Sequence, residues 1–181
     1  ALNAGIRNFL IAGSCTEYGE SGEKYDFLKA DSELRPIGAY ATSKASLSMA
    51  SLGLARTEKF KLTVARIFHT YGLGEDKNRF WPSLIRAASN NKDLEMTKGE
   101  QIRDFTPVGL VTKKLLKLAL EVSSEKEYGI IKNVGSGNVM SLVDFASNEW
   151  KKTNSKGNLI IGSLPYRKNE IMRYVPFLED F

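Results

Sequence analysis

Two short apolar runs separated by one long helical stretch dominate the first third of the chain. "NFLIAG" and "KLTVARIF" (61–68) are rich in apolar and β-branched residues, and Phe9 to Ala12 in the first reads as the heart of a buried strand near 6–12. Between them, residues 39–59 are rich in Ala, Ser, Leu and Met, which predicts a helix from about Ala39 to Lys59. Strand, helix and strand in succession set the pattern for the rest of the chain. The loop "HTYGLGEDKN" leads to a predicted helix near 80–91, with Pro82 tolerated in its first turn. "DLEMTKGEQIRDFTPV" reads as two short strands about a turn at Lys98–Gly99. A helix (109–121), a short strand in "IIKNV", a turn at "GSG", a helix (141–152) and an irregular tail complete the chain. Alternating strands and helices place it in the α/β class. No internal repeat and no low-complexity linker interrupts the pattern.

Composition narrows the function classes. A single cysteine, Cys15, excludes a disulfide within the chain and a cysteine-based zinc site, and a single histidine excludes a His-rich metal centre, so no metal is expected. No apolar run approaches the roughly 20 residues of a membrane span, and nothing resembles a signal peptide, so the default expectation is a cytoplasmic protein without a membrane partner. The formal net charge of +5 is spread thinly. The small basic clusters "KFKL" and "TKKLLK" read as solvated helix faces, not as a nucleic-acid footprint. The opening "ALNAG" reads as the tail of a helix ending at Gly5.

Chemistry enters with "AYATSKASLS" (39–48). Tyr40 and Lys44 stand at i and i+4 on the predicted helix and so share a face. An ammonium beside a phenol favours phenolate and lowers the phenol's pKa from its ordinary value near 10, toward a range useful for proton transfer. Such a pair also arises often by chance on solvated helices. Upstream, "IAGSCTEYG" puts Ser14 just after the first strand, at the carboxyl edge where open α/β sheets carry their ligands; its plainer role there is to cap the loop.

"IAGSCTEYG", "YATSK", "ARIFHTYGLGED" and "GEQIRDFTPV" succeed one another in an order and spacing that resembles the NAD-dependent epimerase/dehydratase family, extended short-chain dehydrogenases/reductases acting on nucleotide-sugars. The likeness covers nearly the whole chain. "AGSCTEYG", "RFWPSLIRAA", "MTKGEQIRDF" and "GSLPYRKNEIM" look closest to bacterial branches that include CDP-abequose and CDP-paratose synthase-like 4-ketoreductases. The resemblance implies a Rossmann-like doubly wound parallel sheet with a smaller substrate-binding α/β lobe. Residues 1–75 would form the C-terminal half of the NAD(P)-binding domain with the Tyr–Lys helix, and residues 76–181 mostly the substrate lobe, with segments returning to the first sheet. It implies NAD or NADP as cofactor, a nucleotide-diphosphate sugar as partner, and a homodimer built on a bundle that includes the Tyr–Lys helix.

Residue by residue, the resemblance makes Ser14, Tyr40 and Lys44 the catalytic triad. Tyr40 would be the acid/base at the sugar's 4-oxygen, Lys44 the holder of the nicotinamide ribose, and Ser14 the group that orients the substrate oxygen. Arg66, Ile67 and Phe68 match a strand end that passes beside the nicotinamide. His69 stands where many members have an asparagine facing substrate phosphate, and a neutral imidazole can donate there instead. Arg103 matches an arginine that binds the diphosphate, a task suited to a planar fork that meets two oxygens at once, and Arg167 matches a second. Leu110 occupies a place where many members carry aspartate.

The family's glycine-rich turn, Gly-x-x-Gly-x-x-Gly after the first strand, does not occur in the 181 residues, and "GSG" at 135–137 does not replace it. The chain therefore reads as a C-terminal portion of such an enzyme. Family 4,6-dehydratases carry an Asp–Glu pair directly after the serine or threonine, where this chain has Cys15 and Thr16. That disfavours dehydration and leaves 4-ketoreduction or 4-epimerisation, which the sequence does not separate. A non-catalytic or truncated nucleotide-sugar binding member of the same fold is the alternative from another class.

Overall fold

The computed structural model describes residues 1–120 and 128–179. A 3-10 turn at Leu2–Ala4 closes on Gly5 in the left-handed region, where "ALNAG" predicted the tail of a helix. Strand β1 (Asn8–Ser14) runs through a second 3-10 turn (Cys15–Tyr18) and a one-turn helix α1 (Ser21–Lys24) to the long helix α2 (Gly38–Glu58) and strand β2 (Lys61–Ile67). After them come β3 (Thr70–Tyr71), α3 (Phe80–Ser89), β4 (Leu94–Met96), β5 (Ile102–Asp104), β6 (Thr106–Pro107) and α4 (Val108–Leu120). The chain continues with β7 (Ile130–Val134), β8 (Val139–Ser141), α5 (Leu142–Lys151), β9 (Leu159–Ile161) and β10 (Arg173–Tyr174). The predicted end of the fourth helix at residue 121 lies outside the described residues.

Strands β1, β2 and β7 pair in parallel in that order. Both faces of this sheet are covered, because neighbouring side chains of β2 point opposite ways. Leu62 and Val64 pack with Leu52 and Ala55 of α2, whereas Ala65 packs with Val111 and Leu118 of α4. That is the doubly wound arrangement, and it explains why β2 reads as a continuous apolar run. Helix α2 buries Ala41, Ala45, Ser48, Leu52 and Ala55, a stripe of mostly small residues that lets it lie close on the sheet. The loop joining β1 to α2 turns at Gly19, whose φ of 52° and close approach to the Arg35 carbonyl leave no room for a Cβ, which would lie 1.8 Å from that oxygen.

Helices α3 and α5 and strands β4 and β9 gather around a separate apolar cluster of Leu84, Met96 and Ala146, while Tyr174 of β10 packs with Cys15, Tyr18, Leu28 and Phe68. Here the pairing departs from the sequence-based expectation. The strands flanking Lys98–Gly99 do form, but they go to different sheets: β4 pairs with β9, and β5 lies between β8 and β10. The tail expected to be irregular supplies β9 and β10. Gly135 of "GSG" packs against the Asp104 carboxylate, to which a Cβ at 135 would come within 2.5 Å. Asp104 accepts from the amides of Ser136 (2.9 Å) and Gly137 (2.8 Å), so the glycines of this turn serve an internal carboxylate. Among the described residues no helix is long and apolar enough to cross a membrane, and no cluster of three or more His, Cys, Asp or Glu could hold a metal ion.

Candidate active site at the carboxyl edge of the sheet

The three parallel strands end together, with Ser14 level with Ile67 and Ile67 level with Val134. The segments that leave these strands therefore lie along one edge. Ser14 is 8% exposed, and its hydroxyl accepts from the Thr16 amide (3.2 Å) and pairs with the Thr16 hydroxyl (2.9 Å). It caps the 3-10 turn, and the Glu17 carboxylate returns the bond by accepting from the Ser14 amide at 2.8 Å. The plain capping role open to this serine is thus filled, with the residue still at the strand edge.

Helix α2 begins beside that edge. Lys44 donates from Nζ to the Ala12 carbonyl of β1 (2.9 Å), which anchors the first turns of the helix against the strand end. Tyr40, one turn earlier, is 61% exposed, and its hydroxyl has no partner among the described residues. Ser14 and Tyr40 are not hydrogen-bonded to each other.

Ile67 is half-buried, but Phe68 is placed differently from a side chain that touches a ligand. Its ring is 2% exposed and packs with Cys15, Tyr18, Leu28 and Tyr174, so only its backbone is left for contact with a cofactor. Arg66 is spoken for as well. Its Nε donates to Glu17 Oε2 at 2.8 Å, with both side chains sealed from solvent, and its guanidinium lies over the Tyr18 ring.

A cleft of about 780 Å³ opens next to this edge, and His69, Arg103 and Arg167 all line it. Its wall is aromatic. Phe105 stacks on Phe145 at 4.0 Å, Tyr71 meets Phe145 edge-on, and Trp81 is held by its Nε1–H on the Glu149 carboxylate of α5 at 2.9 Å. Ser14, Tyr40 and Lys44 are not part of this lining. Contact between the two groups runs through Cys15 and His69, with Sγ 3.9 Å from Nδ1. Burial, reinforced by the positive charges of Arg103 and Arg79, pushes the His69 imidazole down to about 3, so the ring is neutral at physiological pH.

Arg103 is held by three groups: the carbonyl of Ile102 (3.0 Å), the carbonyl of Ile171, and the carboxylate of Glu170 (3.2 Å). Burial lowers its pKa while Glu170 opposes the shift. Glu170 is a lining residue that sequence reasoning passed over, and its signal was an acid three positions after Arg167 in "YRKNE". Gln101 was also missed. Its amide donates to Glu170 at 3.4 Å, and its buried Oε1 has no partner among the described residues.

The NAD dependent epimerase/dehydratase family model matches residues 1–135. The CDP-abequose synthase of Salmonella typhimurium (strain LT2) is 30% identical over 152 residues, an alignment that takes in 81% of this chain and 50% of the relative. Among solved structures, the UDP-N-acetylglucosamine 4-epimerase from Methanobrevibacter ruminantium M1, in complex with UDP-N-acetylmuramic acid, superimposes with a TM-score of 0.85 at 23% identity over 97% of this chain and 56% of its own. MoeE5, in complex with UDP-glucuronic acid and NAD, does so with a TM-score of 0.83 at 24% identity over 98% of this chain and 57% of its own. The chain thus spans about half the length of the relatives it matches.

Proposed function

The chain belongs to the NAD-dependent epimerase/dehydratase family, and from that premise we propose that it carries the proton-transfer and substrate-binding residues of a nucleotide-sugar 4-ketoreductase or 4-epimerase. The observation that supports this most directly is the gathering of His69, Arg103 and Arg167 in one cleft next to the sheet edge where α2, carrying Tyr40 and Lys44, begins. On this reading residues 1–75 are the cofactor side and residues 76–181 the substrate side, with α4 and β7 returning to the first sheet.

The donor set suits one end of a dinucleotide. A phenol and an ammonium one helical turn apart, at the carboxyl edge of a parallel sheet, match the diol of a nicotinamide ribose. The nicotinamide, when bound, supplies hydride exchange at sugar carbon 4. Tyr40 Oη moves the accompanying proton on or off the 4-oxygen, and Lys44 holds the ribose hydroxyls. Ser14 Oγ, already paired with Thr16, orients the substrate oxygen through its own proton. Arg103 and Arg167 take the diphosphate, and the aromatic wall excludes water from that part of the cleft.

Two features of Cys15 and Thr16 weigh against dehydration, which needs an acid/base pair at these positions. Burial pushes the Cys15 thiol up to about 12, so it stays protonated, and the Thr16 hydroxyl is engaged by Ser14. The reading is tested in a polypeptide that contains this chain and binds NAD(P). Given a CDP-4-keto-6-deoxyhexose, a reductase consumes reduced cofactor one for one. An epimerase inverts carbon 4 of an unmodified nucleotide-sugar with no net cofactor change. Formation of a 4-keto-6-deoxy product from an unmodified hexose would overturn the reading.

Arg103→Ala should weaken nucleotide-sugar binding by about 1.5–3 kcal/mol, the worth of a charge-assisted bond, and leave dinucleotide binding unchanged. Calorimetric titration with CDP and UDP reads this directly. Unchanged affinity would confine Arg103 to its bonds with Glu170 and the Ile171 carbonyl.

A further inference from the structure

Proton transfer at Tyr40 leaves Cys15 without a task, yet it is the group through which the strand edge meets the cleft. It is the first residue after β1, is sealed from solvent, and directs Sγ at His69 Nδ1 from 3.9 Å. The His69 ring is set between Phe105 and Tyr174, with centroids 6.5 and 5.8 Å away, so its plane is fixed by packing. The other ring nitrogen, Nε2, has no partner among the described residues, and His69 lines the cleft. A neutral imidazole carries one proton on one of two nitrogens, and which one decides whether it offers the cleft a donor or an acceptor.

We propose that Cys15 is a positioning residue that fixes the tautomer of His69: its S–H donates to Nδ1, so the ring proton stays on Nε2 and is offered to an oxygen of the ligand in the cleft. The oxygen belongs to the phosphate or sugar of a nucleotide-sugar, and this half of the inference rests on the function proposed above.

Burial keeps both members of the pair neutral. At His69 the positive charges of Arg103 and Arg79 act with burial against a third cation; at Cys15 burial outweighs Arg103, which favours an anion, and Glu17 acts with burial. The hydroxyls of Ser14 and Tyr174 also lie against the pair, and burial raises the Tyr174 phenol so that it stays neutral. A nucleophilic cysteine beside histidine needs the reverse, a thiolate next to imidazolium. Here burial moves the thiol up and the imidazole down, so both groups stay neutral, and of the two an imidazole nitrogen is the better acceptor, which favours S–H donating to Nδ1. With the ring proton on Nε2, His69 adds a donor to the cleft without adding a charge.

His69 is the one histidine of these 181 residues, and its nitrogen signals are identified by their loss in His69→Gln. In long-range proton–nitrogen correlation spectra of the ¹⁵N-histidine-labelled protein near pH 7, the wild type should show one fixed tautomer with the proton on Nε2. Cys15→Ala should shift both nitrogens toward the average of two exchanging tautomers, and Cys15→Ser, which keeps a donor, should restore the fixed form. In parallel, Cys15→Ala should weaken CDP or UDP about three- to tenfold by calorimetry, the worth of one hydrogen bond, and Cys15→Ser should recover most of that loss. A wild-type proton on Nδ1, an imidazolium, or a tautomer indifferent to Cys15→Ala overturns the positioning role. Tautomer loss with unchanged nucleotide affinity overturns the donor role toward the ligand. Failure of the wild type to bind either nucleotide removes that donor role together with the function it rests on, whereas the tautomer spectra need no ligand.

Discussion

Glu17→Ala should destabilise the fold by about 3–5 kcal/mol, a large share of the roughly 5–15 kcal/mol that holds a domain together. The Glu17 carboxylate is sealed from solvent and bonded on both oxygens, to Arg66 Nε (2.8 Å) and to the Ser14 amide (2.8 Å). Its removal leaves the Arg66 guanidinium, itself 1% exposed, with the Ala30 carbonyl and the face of Tyr18 as its remaining partners among the described residues. An unpaired buried cation is the costly outcome, more so than the loss of the pair's attraction. The pair also anchors a chain of polar contacts. Tyr18 donates to Asn133 Oδ1 at 2.7 Å, and Asn133 donates in turn to the carbonyls of Leu28 and Phe177. Urea unfolding followed by circular dichroism measures the loss. Replacing both partners, Glu17→Met with Arg66→Met, should recover much of it, since no charge is then stranded. A single-variant loss below about 1 kcal/mol would mean that water reaches Arg66 once Glu17 is gone.

That ion pair was half legible in the sequence. An arginine within "TVARIF", flanked by the buried Val64, Ala65 and Phe68, is a charge that must find a partner, but the pattern does not say which one. The partner is 49 positions away, and no local pattern links the two. The same contrast runs through the fold. β1, α2 and β2 could be read to within a residue or two because each is long and carries a stripe or run of apolar side chains, although β1 leaves Phe9, Leu10 and Ile11 half-buried and Ala12 exposed. β9 and β10 escaped because they are short, and β9 leaves Ile160 and Ile161 largely exposed, so neither shows a period. β4 and β5 were recognised as strands, but their partners β8, β9 and β10 lie far along the chain, the last two in the tail. At the site, motif order brought Ser14, Tyr40, Lys44, His69, Arg103 and Arg167 forward as candidates. The bonds that hold them were not readable, since Cys15 meets His69 across 54 positions and Glu170 meets Arg103 across 67.

Tyr40→Phe should have the opposite profile from Glu17→Ala: an intact fold and a large loss of turnover. The phenol hydroxyl is not used by the structure. Tyr40 is mostly exposed, its hydroxyl has no partner among the described residues, and the bond from the Ser43 hydroxyl to the Tyr40 carbonyl at 2.8 Å does not involve the phenol and survives the substitution. Surface substitutions of this kind usually stay within about 0.5 kcal/mol, so unfolding by urea should be unchanged. The variant removes the proton path to the sugar's 4-oxygen, and general acid–base catalysis of that kind is worth about 10²–10⁴-fold. In a polypeptide that contains this chain and turns over a nucleotide-sugar, kcat should fall by that factor. The dissociation constant for the nucleotide should hold, because Arg103, Arg167 and His69 lie in the neighbouring cleft. Lys44 keeps its bond to the Ala12 carbonyl in the variant, so the loss cannot be assigned to a displaced ammonium. Turnover within about tenfold of the parent would take Tyr40 out of the chemistry and leave the Tyr40–Lys44 pair as an exposed face of α2.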